Sequence, residues 1–208
     1  MTRAGRQTPV GSACAPPRRA AAALLPARAV AAAAVGAAAM AWMPAAESPG
    51  RMAAPSEPAY ASMAGGLRRL YPGAGELAPA IVRTVHEEAE RHRLDACLVM
   101  GVIARESAFR PDARNNRDLG LMQLNQDWHR DLIARAGGPK AMLDPQPNMR
   151  AGIEVLAHYR RQSRSDAEAL ERYNGLGKRN GYAQRVQAAS HRLHAAGACL
   201  RDGPIAMR

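Results

Sequence analysis

A chain of 208 residues holds one domain with tails and excludes two sizeable ones. Apolar residues make up 47% but aromatics only 4%, so the core must be built from Ala, Leu, Val, Ile and Met, which suits closely packed helices. The net charge of +11 divides into 8 Lys+Arg against 2 Asp+Glu over residues 1–75 and 21 against 16 over residues 76–208. Only Lys140 and Lys178 are lysines, and no zinc-finger spacing, Gly-rich phosphate loop or aromatic-interleaved basic strand is present, so nucleic acid is excluded as a partner. The residual positive field still favours anionic polymers.

The N-terminus reads as an export segment. Arg18 and Arg19 precede Ala20 to Pro26, and after Arg28 an uncharged, Ala-rich run from Ala29 to Met43 ends at Pro44-Ala45-Ala46. That length fits a signal-peptide core and is short for a spanning helix, which needs about 20 residues. Residues 1–46 are thus a signal peptide cut near Ala46 or, given the long lead and the dividing Arg28, an uncleaved membrane anchor or a mis-set start. Cys14 precedes the apolar run, which argues against a lipoprotein. The expected location is the periplasm, free or held at the inner membrane by this segment alone. Residues 47–75, with Pro49, Pro55, Pro58, Pro72 and several glycines, read as a linker; 76–200 form the domain and 201–208 a tail.

From Leu77 the pattern is helical, with Ile81, Val85 and Ala89 on one face. Asp95 is a candidate N-cap for a helix over 96–107. Stepping back from Glu106 by three and four reaches Ile103, Val102 and Val99, so this carboxyl continues an apolar face. Phe109 and Pro111 stop the helix, and both poor solvation and the negative end of the helix dipole favour a protonated Glu106. Such a group is a general-acid candidate; the alternative is a side chain swung out to solvent at a frayed end. A polar loop, 112–118, and a short segment, 120–125, follow, Asn125 suiting an N-cap for a helix with Trp128 and Leu132 four apart. Met149, Ile153 and Leu156 mark the next helix. Ser165 to Glu168 has the capping-box arrangement, opening a short helix that places Leu170 and Tyr173 together and ends at Asn174-Gly175. Tyr182, Val186, Ala189 and Leu193 share the face of the last helix, where Tyr182 either closes a cleft or packs in the core.

The six histidines show no ligand spacing, so neither metal nor cofactor is expected. With Cys14 in the export segment, Cys97 and Cys199 remain in an oxidising compartment. They either bridge, tying the Glu106 helix to the C-terminal end, or Cys97 is simply a small buried residue.

Glu106-Ser107-Ala108-Phe109-Arg110-Pro111, then Gly120-Leu121-Met122-Gln123, then Tyr173-Asn174-Gly175 and a Tyr182/Val186 helix, resemble the soluble lytic transglycosylase domain, which is related to goose-type lysozyme. The resemblance covers residues 77–194 and is nearest to the small members that accompany type III and type IV secretion systems and related envelope machines, through Asp118 to Asn125. It implies a mainly α, single lysozyme-like domain with at most a small β element, acting on peptidoglycan glycan strands and partnered by such a machine. It implies Glu106 as the catalytic residue, and Ser107, Gly120, Met122, Gln123, Tyr173 and Asn174 as substrate-binding. Gln123 would bond a sugar acetamido group, Tyr173 would orient Glu106 and Asn174 would touch substrate. Met122 would face a sugar, support Glu106 from beneath, or only fill the core. This chain has Arg172 where many relatives have Ala. Several relatives carry a different cysteine pair, with one member where this chain has Gln146, so the resemblance does not support a Cys97–Cys199 bridge.

One evident carboxyl, where ordinary glycosidases need two, implies a lyase. Protonated Glu106 would cleave between N-acetylmuramic acid and N-acetylglucosamine and then deprotonate the muramoyl 6-hydroxyl, leaving a 1,6-anhydro end. The alternatives are a goose-lysozyme-like muramidase, with Asp112 or Asp118 positioning water, and a non-catalytic wall-binding accessory of a secretion apparatus.

Overall fold

The computed structural model describes residues 54–175 and 181–200; the export segment and the 201–208 tail lie outside them. Among the described residues are seven α-helices and a three-stranded antiparallel sheet of two-residue strands. The expected mainly α, lysozyme-like domain with a small β element is what forms.

The first helix, α1 (Glu57–Leu70), corrects the linker expectation. Tyr60, Met63, Ala64 and Leu67 fall at helical spacing and all enter the core, so the domain starts at Glu57 rather than at residue 76. The prolines and glycines hid this. Pro58 sits in the first turn, where its missing N–H is no loss. Gly66 lets α1 approach the far end of the chain, for a Cβ there would lie 2.6 Å from the Ala196 carbonyl oxygen.

A short 3-10 turn (Pro72–Leu77) leads into α2 (Ala78–His92), which ends with Arg93 in the left-handed region, its N–H and that of Leu94 closing on Glu90 and Ala89. The third helix, α3 (Ala96–Glu106), is capped by Asp95, whose carboxylate accepts the Leu98 N–H at 2.8 Å. Every residue from Ala96 to Ala104 is buried, so α3 is the central helix and its apolar surface runs all round. It packs most extensively on α7 (Tyr182–Ala195), with Gly101 at the crossing: a Cβ there would stand 2.7 Å from the Val186 carbonyl oxygen. A Cys97–Cys199 disulfide, Cα to Cα 5.4 Å, ties the start of α3 to the chain beyond α7.

After α3 the chain leaves the helical core. Strands β1 (Arg114–Asn115), β2 (Asp118–Leu119) and β3 (Leu124–Asn125) pair in sequence order. With α4 (Arg130–Arg135) and the start of α5 (Pro145–Arg161) they enclose a second, smaller core of Leu119, Leu124, Ile133, Met142, Ala151 and Val155. The short α6 (Asp166–Asn174) is capped by Ser165, whose hydroxyl accepts the Glu168 N–H, while the Glu168 carboxylate reaches back to the Arg164 N–H, one residue before the cap the sequence suggests; the helix closes at Gly175 in the left-handed region. Tyr173, near its end, packs against both cores and marks the seam between them.

Candidate active site

Glu106 is the last residue of α3, with Ser107 as the C-cap. Ala108 and Phe109 follow at φ 51° and 61°, a conformation bulky residues avoid, and Phe109 is fully buried 4.9 Å from the Tyr71 ring. Two successive left-handed residues turn the chain sharply away, so the helix stops with its carboxyl at the surface of the core. Burial lifts the Glu106 pKa to about 6, and the nearby Asp118 carboxylate adds to it; the Tyr182 hydroxyl and Arg105 pull the other way. Glu106 is therefore neither swung out to solvent nor locked in one protonation state.

The hydroxyl donated to Glu106 comes from Tyr182, not from Tyr173. Tyr173 instead donates to the Met122 carbonyl oxygen at 2.7 Å. Burial, reinforced by the charge of Glu106, raises the pKa of both tyrosines, which stay protonated donors. Tyr182 is the first residue of α7, and its placement depends on a residue the motifs do not contain. Gly181 offers α7 no side-chain cap; the buried Glu171 of α6 supplies one, accepting the Ala183 N–H at 3.1 Å. Nothing in the sequence pairs Glu171 with a backbone group 12 residues on.

The floor is a set of backbone groups held by one asparagine. Asn148 is fully buried, accepting the Met122 N–H and donating to the carbonyls of Leu119 and Met142, all within 2.8 to 2.9 Å. A lone Asn among the apolar positions of a helix was the available signal for it. Gly120 lies against this clamp at φ 72°, where a Cβ would be 2.2 Å from the Met142 carbonyl oxygen. Glycine is thus required there for close backbone packing.

Three other expectations change. Met122 is fully buried, its side chain resting where Gly152 lacks a Cβ, so it fills the core instead of facing a sugar. Ser107 is buried and its hydroxyl donates to the Ile103 carbonyl oxygen, closing the helix rather than meeting substrate. Gln123, at φ 46°, spends its amide N–H groups on the Ala113 and Gly120 carbonyls, which leaves its side-chain oxygen for a ligand. The Asn174 Nδ2 is buried with no hydrogen-bond partner among the described residues, an unspent donor next to Tyr173.

No group of three or more His, Cys, Asp or Glu among the described residues has a metal-binding arrangement, and none of their helices is long and apolar enough to cross a membrane. Asp118, the second carboxylate near Glu106, accepts from the Asn125 amide at 2.7 Å; Asp112 is exposed. One buried acid that titrates near neutrality, one hydroxyl donating to it and one unpaired amide donor can transfer a proton to a sugar oxygen and take one back.

No curated protein and no solved structure matches the chain. The family model described as "Transglycosylase SLT domain" matches residues 83–194, more than half of the 208, and spans Glu106, the floor, Tyr173 and Tyr182. The chain belongs to the transglycosylase SLT domain family, whose members act on peptidoglycan in the manner of lytic transglycosylases.

Proposed function

We propose that the protein is a peptidoglycan lytic transglycosylase that cleaves the β-1,4 bond between N-acetylmuramic acid and N-acetylglucosamine and leaves a 1,6-anhydromuramoyl end. The observation that carries the reading is Glu106: a carboxyl at a helix end, lifted by burial to about 6, under the Tyr182 hydroxyl. At that pKa both forms are populated near neutrality, as a group serving first as acid and then as base requires.

In the first step the Glu106 proton goes to the glycosidic oxygen, the C1–O4 bond breaks, and the N-acetylglucosamine end departs as an alcohol. The neighbouring acetamido oxygen closes on C1 and takes up its positive charge. Glu106, now a carboxylate accepting from Tyr182, removes the proton of the 6-hydroxyl, and O6 displaces the acetamido oxygen from C1. No water is consumed, and Glu106 ends protonated as it began. Asn174 and the Gln123 side-chain oxygen would bond sugar polar groups, a role supported by the unpartnered Asn174 Nδ2 and by the Gln123 amide spending its N–H groups on backbone carbonyls. Asp118, already tied to Asn125, serves as a charge that raises Glu106 rather than as a holder of water.

Export to the periplasm through residues 1–46, and local opening of the wall for a type III, type IV or related envelope machine, belong to the same proposal and rest on the sequence alone. The test is mass spectrometry of muropeptides released from purified peptidoglycan by the protein and by Glu106→Gln. Anhydromuramoyl products that vanish in the variant are expected. Reducing-end products would instead make the protein a muramidase, and no release from either protein would make it a wall-binding accessory.

A further inference from the structure

We infer that the groove between α4 and α5, beside Trp128, is a saccharide subsite that takes an N-acetylated hexose unit of the same glycan strand, beyond the units at Glu106; the inference rests on the reading of the protein as a glycan-cleaving enzyme. Trp128 is 67% exposed, more than any other large apolar side chain described. It is nevertheless held in place. The Asn125 side-chain oxygen accepts the N–H groups of Asp127 and Trp128, fixing the turn that carries the indole. The ring also lies against Gly175, where a Cβ would come within 3.0 Å of two indole carbons. A singly exposed apolar side chain needs no ligand, but an indole fixed from two sides at the rim of a groove offers a ready-made face to one.

The groove has a volume of about 320 Å³, within the range of small-molecule sites. Trp128 and Tyr159 supply ring surface, Leu132 and Val155 apolar lining, and His129 and the Arg135–Glu154 ion pair polar groups. Burial lowers the His129 pKa, so it stays neutral and able to donate or accept. A pyranose has matching chemistry: a face of C–H bonds that lies against an aromatic ring, and a rim of hydroxyl and acetamido groups that bond to neutral and anionic acceptors.

Continuity with the candidate active site chooses the occupant. Gly175, on which the indole rests, directly follows Asn174. Tyr159 is near enough to Tyr173 to raise its pKa, as Glu106 also does. Glu106, Tyr173, Asn174, Gly175 and Trp128 are thus linked in turn, by charge, by chain adjacency and by the contact of Gly175 with the indole. A strand with its scissile bond at Glu106 that continues past Asn174 meets the indole next. A free metabolite would need no such alignment.

The experiment uses the full chain carrying Glu106→Gln, to prevent turnover, and Trp42→Phe, to leave Trp128 as the sole indole of the two in the sequence. Peptide-free peptidoglycan glycans of two, four, six and eight sugars are titrated against Trp128 fluorescence and by calorimetry. A change in indole emission that begins only with the longer glycans is expected, with affinity rising at the same length. Adding Trp128→Ala should weaken binding of the longer glycans roughly tenfold, about 1.4 kcal/mol, and leave the shortest bound species unchanged. Trp128→Phe, which keeps an aromatic face, should restore most of that loss. Equal weakening at every length, or none at any length while glycans still bind, overturns the subsite and leaves the glycan-cleaving reading standing. No binding of any glycan by any variant overturns both.

Discussion

The helical core and the loop-and-sheet lobe hold the site in different ways. Around α3 the device is burial: nine consecutive buried residues, a close crossing at Gly101 and a disulfide leave Glu106 little room to be anything but desolvated. From Ser107 to Asn148 the lobe has little core. It relies on left-handed backbone at Ala108, Phe109, Asn116 and Gln123, and on Asn148 bonding three backbone groups. The core therefore sets the chemistry of the acid, and the lobe sets the shape presented to a ligand. Substitutions in the two should separate into altered proton affinity and altered cleft geometry.

The largest effect is expected at the point where the two halves meet. Glu106→Gln keeps the shape and removes the proton donor, so turnover should fall by roughly 10²- to 10⁴-fold while glycan affinity is kept. Steady-state rates beside direct binding measure both; a parallel loss of binding would mean that Glu106 shapes the cleft instead. Next in size is the disulfide, which closes a loop of 102 residues. Replacing both Cys97 and Cys199 by Ala should cost about 4 to 5 kcal/mol in the chain-entropy model. Because the bridge lies at the opposite end of α3 from Glu106, denaturant melts should register that loss while the pH profile of activity stays put.

The same division explains what was legible in the sequence. The helices of the core follow from periodicity and caps: the Asp95 and Ser165 caps and the Gly175 stop form as read, and Glu168 reaches back as well, to the N–H of Arg164. Glu106 is conspicuous because an acid on an apolar face needs a physical reason. The first helix escaped because Pro58 and the Gly65-Gly66 pair imitate a linker, although Tyr60, Met63, Ala64 and Leu67 carry a helical period. Contacts set by tertiary packing were not legible. Tyr173, near the end of α6, and Tyr182, at the start of α7, both lie near the same carboxyl, and only the fold decides which one reaches it. Motif position likewise cannot tell a residue that lines a cleft from one that builds its floor, as Ser107, Gly120 and Met122 do.

In the lobe, Asn148→Ala would leave two buried carbonyls and one buried N–H without their partner, a loss of roughly 3 kcal/mol. The helical core should survive it. Amide hydrogen exchange is expected to show faster exchange confined to residues 113–125, and uniform loss of protection across α3 and α7 would contradict the division into two supports. A smaller stability effect has the opposite sign. With its pKa raised from 4.5 to about 6, Glu106 is held more readily in its protonated form by the folded state than by the unfolded one. Folding stability is full below pH 4.5 and falls as the pH rises through 6. Glu106→Gln should then be more stable than the parent above pH 6, by up to about 2 kcal/mol, and equal to it below pH 4.5. Thermal melts at pH 4 and pH 8 test the sign.

The smallest effect is the most pointed, because it concerns the hydrogen bond from the start of α7 to the acid at the end of α3. The Tyr182 hydroxyl lowers the Glu106 pKa against the larger effect of burial. Tyr182→Phe keeps the ring in the core and removes the hydroxyl that donates to Glu106, so the carboxyl should hold its proton more tightly and the alkaline limb of kcat/KM should move upward. Glu171→Gln alters the cap of α7 without touching Glu106, and should move the limb in the same direction by less, through looser placement of Tyr182. A limb that stays fixed in Tyr182→Phe would mean that desolvation alone tunes the acid; a limb that moves down would mean that the hydroxyl supports the protonated form, reversing its part in the reaction.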